Sequence, residues 1–265
     1  MPCIAARCIT TIRACAVITG TRSKTSRTIE CNPMRRERER EREMAVWGGL
    51  CLSWGRPSRG QQKACIARAG GFNYDPKFHG ASSSSSSSSA AEPEEAKEKA
   101  LAEKGFFVNR SRALLGSGDR TFRLAKSALL SWRHFGLGWA VVDPETPVAK
   151  GVKFCVCVKE LLPWVMMPLQ IAYVVDEACS SGPARRASFA FGSGTLRGHL
   201  LAGEERFSIE QDENDQVWYE IFSFSKPAHI LSGISYPYVR LRQKYFAHQS
   251  TQAVLKHVAD QHSES

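Results

Sequence analysis

Apolar and polar residues alternate with a period near two through most of the chain from Gly138 to Ser225. Residues 138–142, 152–159, 169–176, 188–197, 206–210 and 217–225 carry β-branched or aromatic side chains between turn signals, which predicts six strands. Asp143-Pro144, Gly182-Pro183 and the run Asp212-Glu-Asn-Asp215 supply turn chemistry. The gaps between these segments are too short for helical crossovers, so the sheet is predicted to be antiparallel. FFVNRSRALLG, residues 106–116, adds an earlier strand. The period then changes. Phe122, Ala125, Leu129 and Trp132 fall at helical spacing behind Asp119, and a longer helix is expected over 236–258, opening near Pro237, a residue suited to a first turn. Its apolar residues are Val239, Leu241, Tyr245, Phe246, Val254, Leu255 and Val258. Strand, helix, six strands and a long helix make a two-layer α+β domain, an antiparallel sheet wrapped around a C-terminal helix.

The segment before residue 105 has a different texture. Ser58 is placed to cap a short helix over 61–69, which Gly70-Gly71 ends. The eight serines from Ser82 to Ser89 form a flexible tract, and a polar helix is expected over 92–104. Arg36 to Glu43 alternates Arg and Glu without exception, the pattern a GA dinucleotide repeat encodes. The chain therefore divides into a non-native or disordered leader (1–43), an N-terminal arm with a Ser-rich linker (44–104), the α+β domain (105–260) and a tail (261–265). On this reading Met44 is the natural start.

Charge adds little. The formal net charge is +10, but residues 1–43 hold half of it, leaving 26 basic against 21 acidic residues spread over the other 222. That is a solvated surface, with no basic patch for nucleic acid. The nine cysteines are odd in number and include no CxxC pair. Cys155 and Cys157, two apart on a strand, point the same way and do not bridge each other. Structural thiols in a reducing, intracellular compartment fit this usage better than a secreted disulfide framework. No run reaches the roughly 18 apolar residues of a membrane helix. LLPWVMMPLQIAYVV, residues 161–175, is broken by Pro163, Pro168 and Gln170 and reads as two buried strand segments.

Five stretches carry a family resemblance: LSWGRPS, GSGDRTFRLAKSALLSWRHFGLGWAVVD, VKFCVCVKELLPWVMMPLQIAYVVDE, FGSGTLRGHLLAGEERFSIE and VWYEIFSFSKPAHILS. From Leu52 to His257 the chain closely resembles plant members of the family called domain of unknown function 1990. The serine tract and CSSGPARRAS stand as additions to that pattern. The family is essentially uncharacterised, so the resemblance assigns no reaction. Its element order implies a helix-grip, START-like fold, as in lipid-transfer and pathogenesis-related proteins. Its plant relatives place the chloroplast outer envelope beside the cytoplasm and plastid as locations to consider.

The candidate chemistry is sparse. Glu204 and Glu205 are adjacent on a strand and so point to opposite faces, which rules out joint acid/base work on one atom. A surface ion pair with Arg206, or a turn acid, is the plainer expectation for them. Glu220 shares a face with Trp218, Phe222 and Phe224, and a carboxylate among aromatics must be paired, protonated or exposed. If that face lines a cavity under the C-terminal helix, Glu220 meets a polar ligand group. If the face is convex, it meets water or an arginine. Ligand-binding candidates are Glu220, Trp218, Tyr219, Arg206, His199 and Tyr245. No residue is assigned as catalytic.

His134, His199, His229, His248 and His257 lack metal-ligand spacing, and no cofactor is called for. Gly192-Ser-Gly194 with Gly198 has the spacing GxGxxxG and leads into a strand, which fails the dinucleotide test and suits a bulge or bend instead. Arg185-Arg186-Ala187-Ser188 matches a basophilic kinase site at Ser188. The expected function is non-enzymatic binding of a hydrophobic or amphipathic small ligand in a sheet–helix cavity. The alternatives are a membrane-associated or channel-like envelope protein and a cyclase- or isomerase-type enzyme. Expected partners are that small ligand and, peripherally, a membrane, with no nucleic acid and no transmembrane helix.

Overall fold

The computed structural model describes residues 44–83, 94–159, 163–177 and 187–263. Among these residues nine strands form one antiparallel sheet: β1 (Ala45–Trp47), β2 (Leu50–Ser53), β3 (Phe107–Ser117), β4 (Ala140–Val141), β5 (Lys153–Lys159), β6 (Trp164–Glu177), β7 (Ala187–Thr195), β8 (Leu201–Gln211) and β9 (Gln216–Pro227). The order is β1-β2-β6-β7-β8-β9-β3, and β5, carrying β4, pairs with the other edge of β6. The helices are α1 (Arg59–Arg68), α2 (Glu94–Glu103), α3 (Gly118–Leu130), α4 (Ile230–Ile234) and α5 (Tyr236–Ser263). The α+β class and the sheet wrapped around a long C-terminal helix, the helix-grip arrangement, are as expected from the pattern.

Strand alternation sorts the side chains into two faces. Phe189 and Phe191 of β7, Phe207 and Ile209 of β8, and Val217, Tyr219 and Ile221 of β9 turn inward. There they meet Ala125, Ala128 and Leu129 of α3 and Ala247, Val254 and Val258 of α5. The small alanines let the helices approach closely, and each large apolar side chain buried here contributes about 1.5–3 kcal/mol relative to exposure. Tyr219 shares a hydrogen bond of 2.7 Å with Ser250 of α5. Rings complete the layer. Phe135 stands 4.8 Å from Phe246 and 5.6 Å from Phe207, and Trp132 lies 5.4 Å from Phe191. The interval between the middle of the sheet and α5 is filled by these buried side chains.

β6 departs from the two-segment expectation by running unbroken through Pro168. The Pro168 carbonyl accepts from Leu196 N at 3.1 Å, so the edge that lacks an N–H faces the junction where β2 has ended and β7 has not begun. No ladder bond is lost there.

The arm is built into the sheet. β2 pairs with β6, and α1 packs on β5 and β6. Its start is a capping box: Ser58 Oγ accepts from Gln61 N at 3.2 Å and Gln61 Oε1 accepts from Ser58 N at 2.9 Å. Cys51, Cys65, Cys155 and Cys157 cluster beneath it with Trp164 and Met166, all as buried free thiols. Residues 72–83 then cross the outer face of β7–β9, and α2 packs on β3. The sheet is thus covered on both faces, three layers where two were expected.

Candidate functional site

On β8 the residues facing away from the helices are Glu204, Arg206, Ser208 and Glu210, and on β9 they are Trp218, Glu220, Phe222 and Phe224. Glu220 shares its face with the three aromatic residues as the alternation requires, but that face is the outer one. Tyr219, its neighbour, is the residue that meets α5. Glu220 accepts from Arg206 Nη2 and, at 3.1 Å to each oxygen, from Arg110 Nη1. Arg110 in turn pairs with Glu94 and Glu98 of α2. Of the two sequence alternatives, the arginine partner is the one found.

Glu204 lies beside this network and fixes the arm. It accepts from Tyr74 Oη at 2.7 Å, Gly80 N at 2.6 Å, Ser82 N at 3.0 Å and Ser82 Oγ at 2.8 Å. Burial and the Glu204 charge push the Tyr74 phenol far up, so it stays a donor. Arg206 Nη1 donates to Ser82 O at 3.1 Å. Two glycines make room for the rings above: a Cβ at Gly192 would overlap the Tyr173 ring, and one at Gly194 would overlap Tyr74 and Phe72. The GxG spacing is therefore a seat for aromatic rings, next to a register shift in β6 between Ile171 and Tyr173.

Beside the arm the outer face opens into a cleft of about 480 Å³. Tyr173, Val175 and Ala190 form its apolar wall, with Arg206 and Ser208 also lining it. Glu177, Glu210, Asp212 and Glu213 stand around it with Arg112. Arg206 is 2% and Ser208 1% exposed, and among the described residues neither Arg206 Nε nor Ser208 Oγ has a hydrogen-bond partner. Burial first, then the Glu220 charge, holds the Glu210 carboxyl above its usual range. Arg112 Nη2 is 3.7 Å from Glu210, and its guanidinium lies over the Trp218 ring at 4.7 Å. Trp218 Nε1 donates to Asp212 at 3.0 Å.

The sequence candidates thus separate. Arg206 lines the cleft, Glu220 holds Arg206, and Trp218 abuts two lining residues. Tyr219 is in the opposite layer. His199 is a turn residue whose Nδ1 accepts from Leu201 N at 2.9 Å, and burial lowers its pKa to about 4. Tyr245 is exposed on α5, 5.6 Å from Trp139. Ser188 lines the cleft within β7, paired across the sheet with Glu177 and Glu210, where a phosphate would be repelled. Arg185 and Arg186 lie outside the described residues. Sequence reasoning missed Ser208 and the role of Glu204. It also missed Glu205, which faces inward between Ser193 and Ser223. Part of its surface is accessible, yet the protein packed around it pushes its carboxyl up to about 8.

A sequence model described as Domain of unknown function (DUF1990) matches residues 90–253. The chain belongs to the DUF1990 family. A UPF0548 protein of Arabidopsis thaliana is 57% identical over 209 residues, which is 78% of this chain and 97% of the relative. A UPF0548 protein of Dictyostelium discoideum is 34% identical over 163 residues, 58% of this chain and 73% of the relative. Among solved structures, the crystal structure of Ara h 8.0201 aligns with a TM-score of 0.39 at 10% identity, covering 59% of this chain and 99% of that one. The DUF1990 match spans the sheet from β3 onward, α3 and most of α5, together with Glu204, Arg206, Ser208 and Glu220.

Proposed function

We propose that this DUF1990 protein is a non-enzymatic binder of a small amphipathic ligand, held in the outer-face cleft. The observation that carries the reading is the pair of buried donors, Arg206 Nε–H and Ser208 Oγ–H, with no partner among the described residues, beside a cleft of about 480 Å³. Buried donors are rarely left unpaired, and a volume of roughly 300–1,000 Å³ is that of small-molecule sites. An acceptor oxygen of the ligand meets Arg206 and Ser208. Its apolar body lies on Tyr173, Val175 and Ala190, and a donor or cationic group meets Glu177, Glu210 and Glu213.

On this reading Arg206 contacts the ligand, Glu220 is a positioning residue, and Trp218 steadies the rim through Asp212. Glu220 serves poorly as a general base, because both its oxygens already accept from guanidinium groups. The four buried free thiols support an intracellular, reducing location. Among the described residues no helix is long and apolar enough to cross a membrane.

Native mass spectrometry of the gently purified full chain tests the binding, together with thermal shifts over a panel of amine-bearing amphiphiles. Ser208→Leu fills the cleft and deletes an unpartnered hydroxyl, so it is expected to keep the fold and lose the bound mass. Absence of any retained ligand or shift in the parent, or equal retention by Ser208→Leu, overturns the proposal.

A further inference from the structure

The two halves of α5 rest on the sheet differently. Among the described residues none from Tyr236 to Phe246 is buried, whereas Ala247, Ser250, Thr251, Val254 and Val258 all are. The inner face of the sheet changes in step. Beside the second half of the helix lie Tyr219 and Ile221, with Tyr219 tied to Ser250. Further along, that face turns polar. Ser193, Glu205 and Ser223 stand side by side across β7, β8 and β9, and Ser225 is the next inward residue on β9. Cross-strand neighbours on one face have Cβ atoms about 4.5–5.5 Å apart, so the carboxyl sits between two hydroxyl side chains.

The first half of α5, about three turns, is lightly tied to this floor. Gln243 Nε2 donates to Ser225 Oγ at 3.0 Å and Tyr236 Oη to Ser225 O at 3.4 Å. Arg240 lies over the Phe107 ring at 4.2 Å and Arg242 over the Trp139 ring at 3.8 Å. Two polar groups are poorly served in this closed arrangement. Gln243 Oε1 is buried and has no hydrogen-bond partner among the described residues. Glu205 is raised by burial, and no charge on β7, β9 or α5 offsets that penalty. The titratable group that feels its charge is Tyr219, whose phenol burial keeps protonated. Water reaching the floor would satisfy both Gln243 Oε1 and an ionised Glu205.

We infer that Tyr236 to Phe246 form a proton-controlled flap, which lies over Glu205 while that residue is neutral and swings off the sheet when it ionises, with Ala247 to Val258 as the fixed end. In the closed form Glu205 ionises near 8, against about 4.3 for a hydrated carboxyl. A raised carboxyl favours the closed form at low pH, and closure weakens as pH rises from about 4.3 to 8. The opening constant therefore grows by up to about tenfold per pH unit over that interval and levels off above it. Opening uncovers Ser193, Glu205 and Ser223 on the inner face and leaves the outer-face cleft intact, because the cleft lies on the opposite side of the sheet from α5.

Hydrogen exchange of the full chain, followed by mass spectrometry from pH 5 to 9 and corrected for intrinsic exchange rates, tests this. Peptides within 236–246 are expected to be less protected than those within 250–258 at every pH. Their protection factor is expected to fall at least about tenfold between pH 5 and 8 and then to level. Glu205→Gln keeps the side-chain shape, so it is expected to fold like the parent by circular dichroism and to flatten the pH profile of 236–246. Equal protection in the two halves overturns the inference, because release would then be unfolding of the whole protein. So does protection of 236–246 that is constant with pH, or a pH dependence that Glu205→Gln retains.

Discussion

Arg206 and Glu220 form an ion pair on the outer face of the sheet, with side chains only 2% and 6% exposed. Removing both charges from water costs several kcal/mol per ion, so such a pair is weak evidence for net stability, whereas losing one member strands the other. Arg110 shares the carboxylate at 3.1 Å, so Glu220 has two guanidinium groups to lose.

Glu220→Ala is therefore expected to destabilise the fold by about 3–5 kcal/mol, read as a fall in the urea midpoint. The double change Arg206→Met with Glu220→Leu removes both charges and is expected to recover most of that loss. Glu220→Gln is expected to fall between parent and Glu220→Ala. A single variant with an unchanged midpoint would show that the pair does not carry the role its burial implies.

The rings of Tyr173 and Tyr74 occupy the space that a side chain at Gly192 or Gly194 would need. Gly192→Ala and Gly194→Ala are each expected to cost about 1–3 kcal/mol by overpacking. Gly194→Ala displaces Tyr74 and so weakens its 2.7 Å bond to Glu204. Limited proteolysis checks this: cleavage within 72–83 should accelerate in Gly194→Ala, and no change there would refute the seat assigned to the glycine.

The thiols of Cys51, Cys65 and Cys157 are held protonated. The side-chain contact with Cys155, which favours the protonated Cys65 thiol, is the largest cause for Cys65, and burial for Cys157, each reaching about 12, while the Cys65 contact pushes Cys51 higher still. Against a free thiol near 8.5, the thiolate fraction at pH 8 falls about a thousandfold. Alkylation mapped by mass spectrometry should leave these three unlabelled in the native protein and label them in denaturant. Native labelling of any of them would contradict the buried cluster.

Local signals in the sequence located most elements because their causes are local. Ser58 and Gln61 form their box within one turn, and period-two alternation put Glu220 beside Trp218 and Phe222. The same alternation cannot say which face an arm will cover. Glu204 reads as a turn acid until Tyr74, 130 residues earlier in the chain, donates to it. The cleft was illegible for this reason, since its walls come from β6, β7 and β8, and Arg206 is aligned by β9. Pro168 argued for a break in β6, and only the staggered ends of β2 and β7 show why a residue without an N–H is harmless there.

Two titratable groups on the inner side of the sheet, His134 and the partly accessible Glu205, set opposite limits on pH stability. His134 is fully enclosed by Trp132, Phe135, Phe191 and Phe207, and burial lowers its pKa to about 3 despite a small opposing influence of the Ala128 carbonyl. Its folded value lies below the unfolded value of about 6.5, so its neutral form stabilises the fold above that pH, and stability is lost as pH falls from about 6.5 towards 3. Glu205 acts in the other direction. Burial raises its folded value to about 8. The unfolded carboxyl ionises near 4.3, so stability falls as pH rises from about 4.3 to 8. Glu205→Gln is accordingly expected to stabilise the protein at pH 8 by on the order of 1–3 kcal/mol and to change nothing below pH 4. His134→Phe is expected to flatten the acid limb and leave the alkaline one unchanged. Urea midpoints measured from pH 4 to 9 on parent and variants separate the two limbs. Equal gains for Glu205→Gln at pH 4 and pH 8 would mean that packing, and not the titration of this carboxyl, sets the alkaline limit.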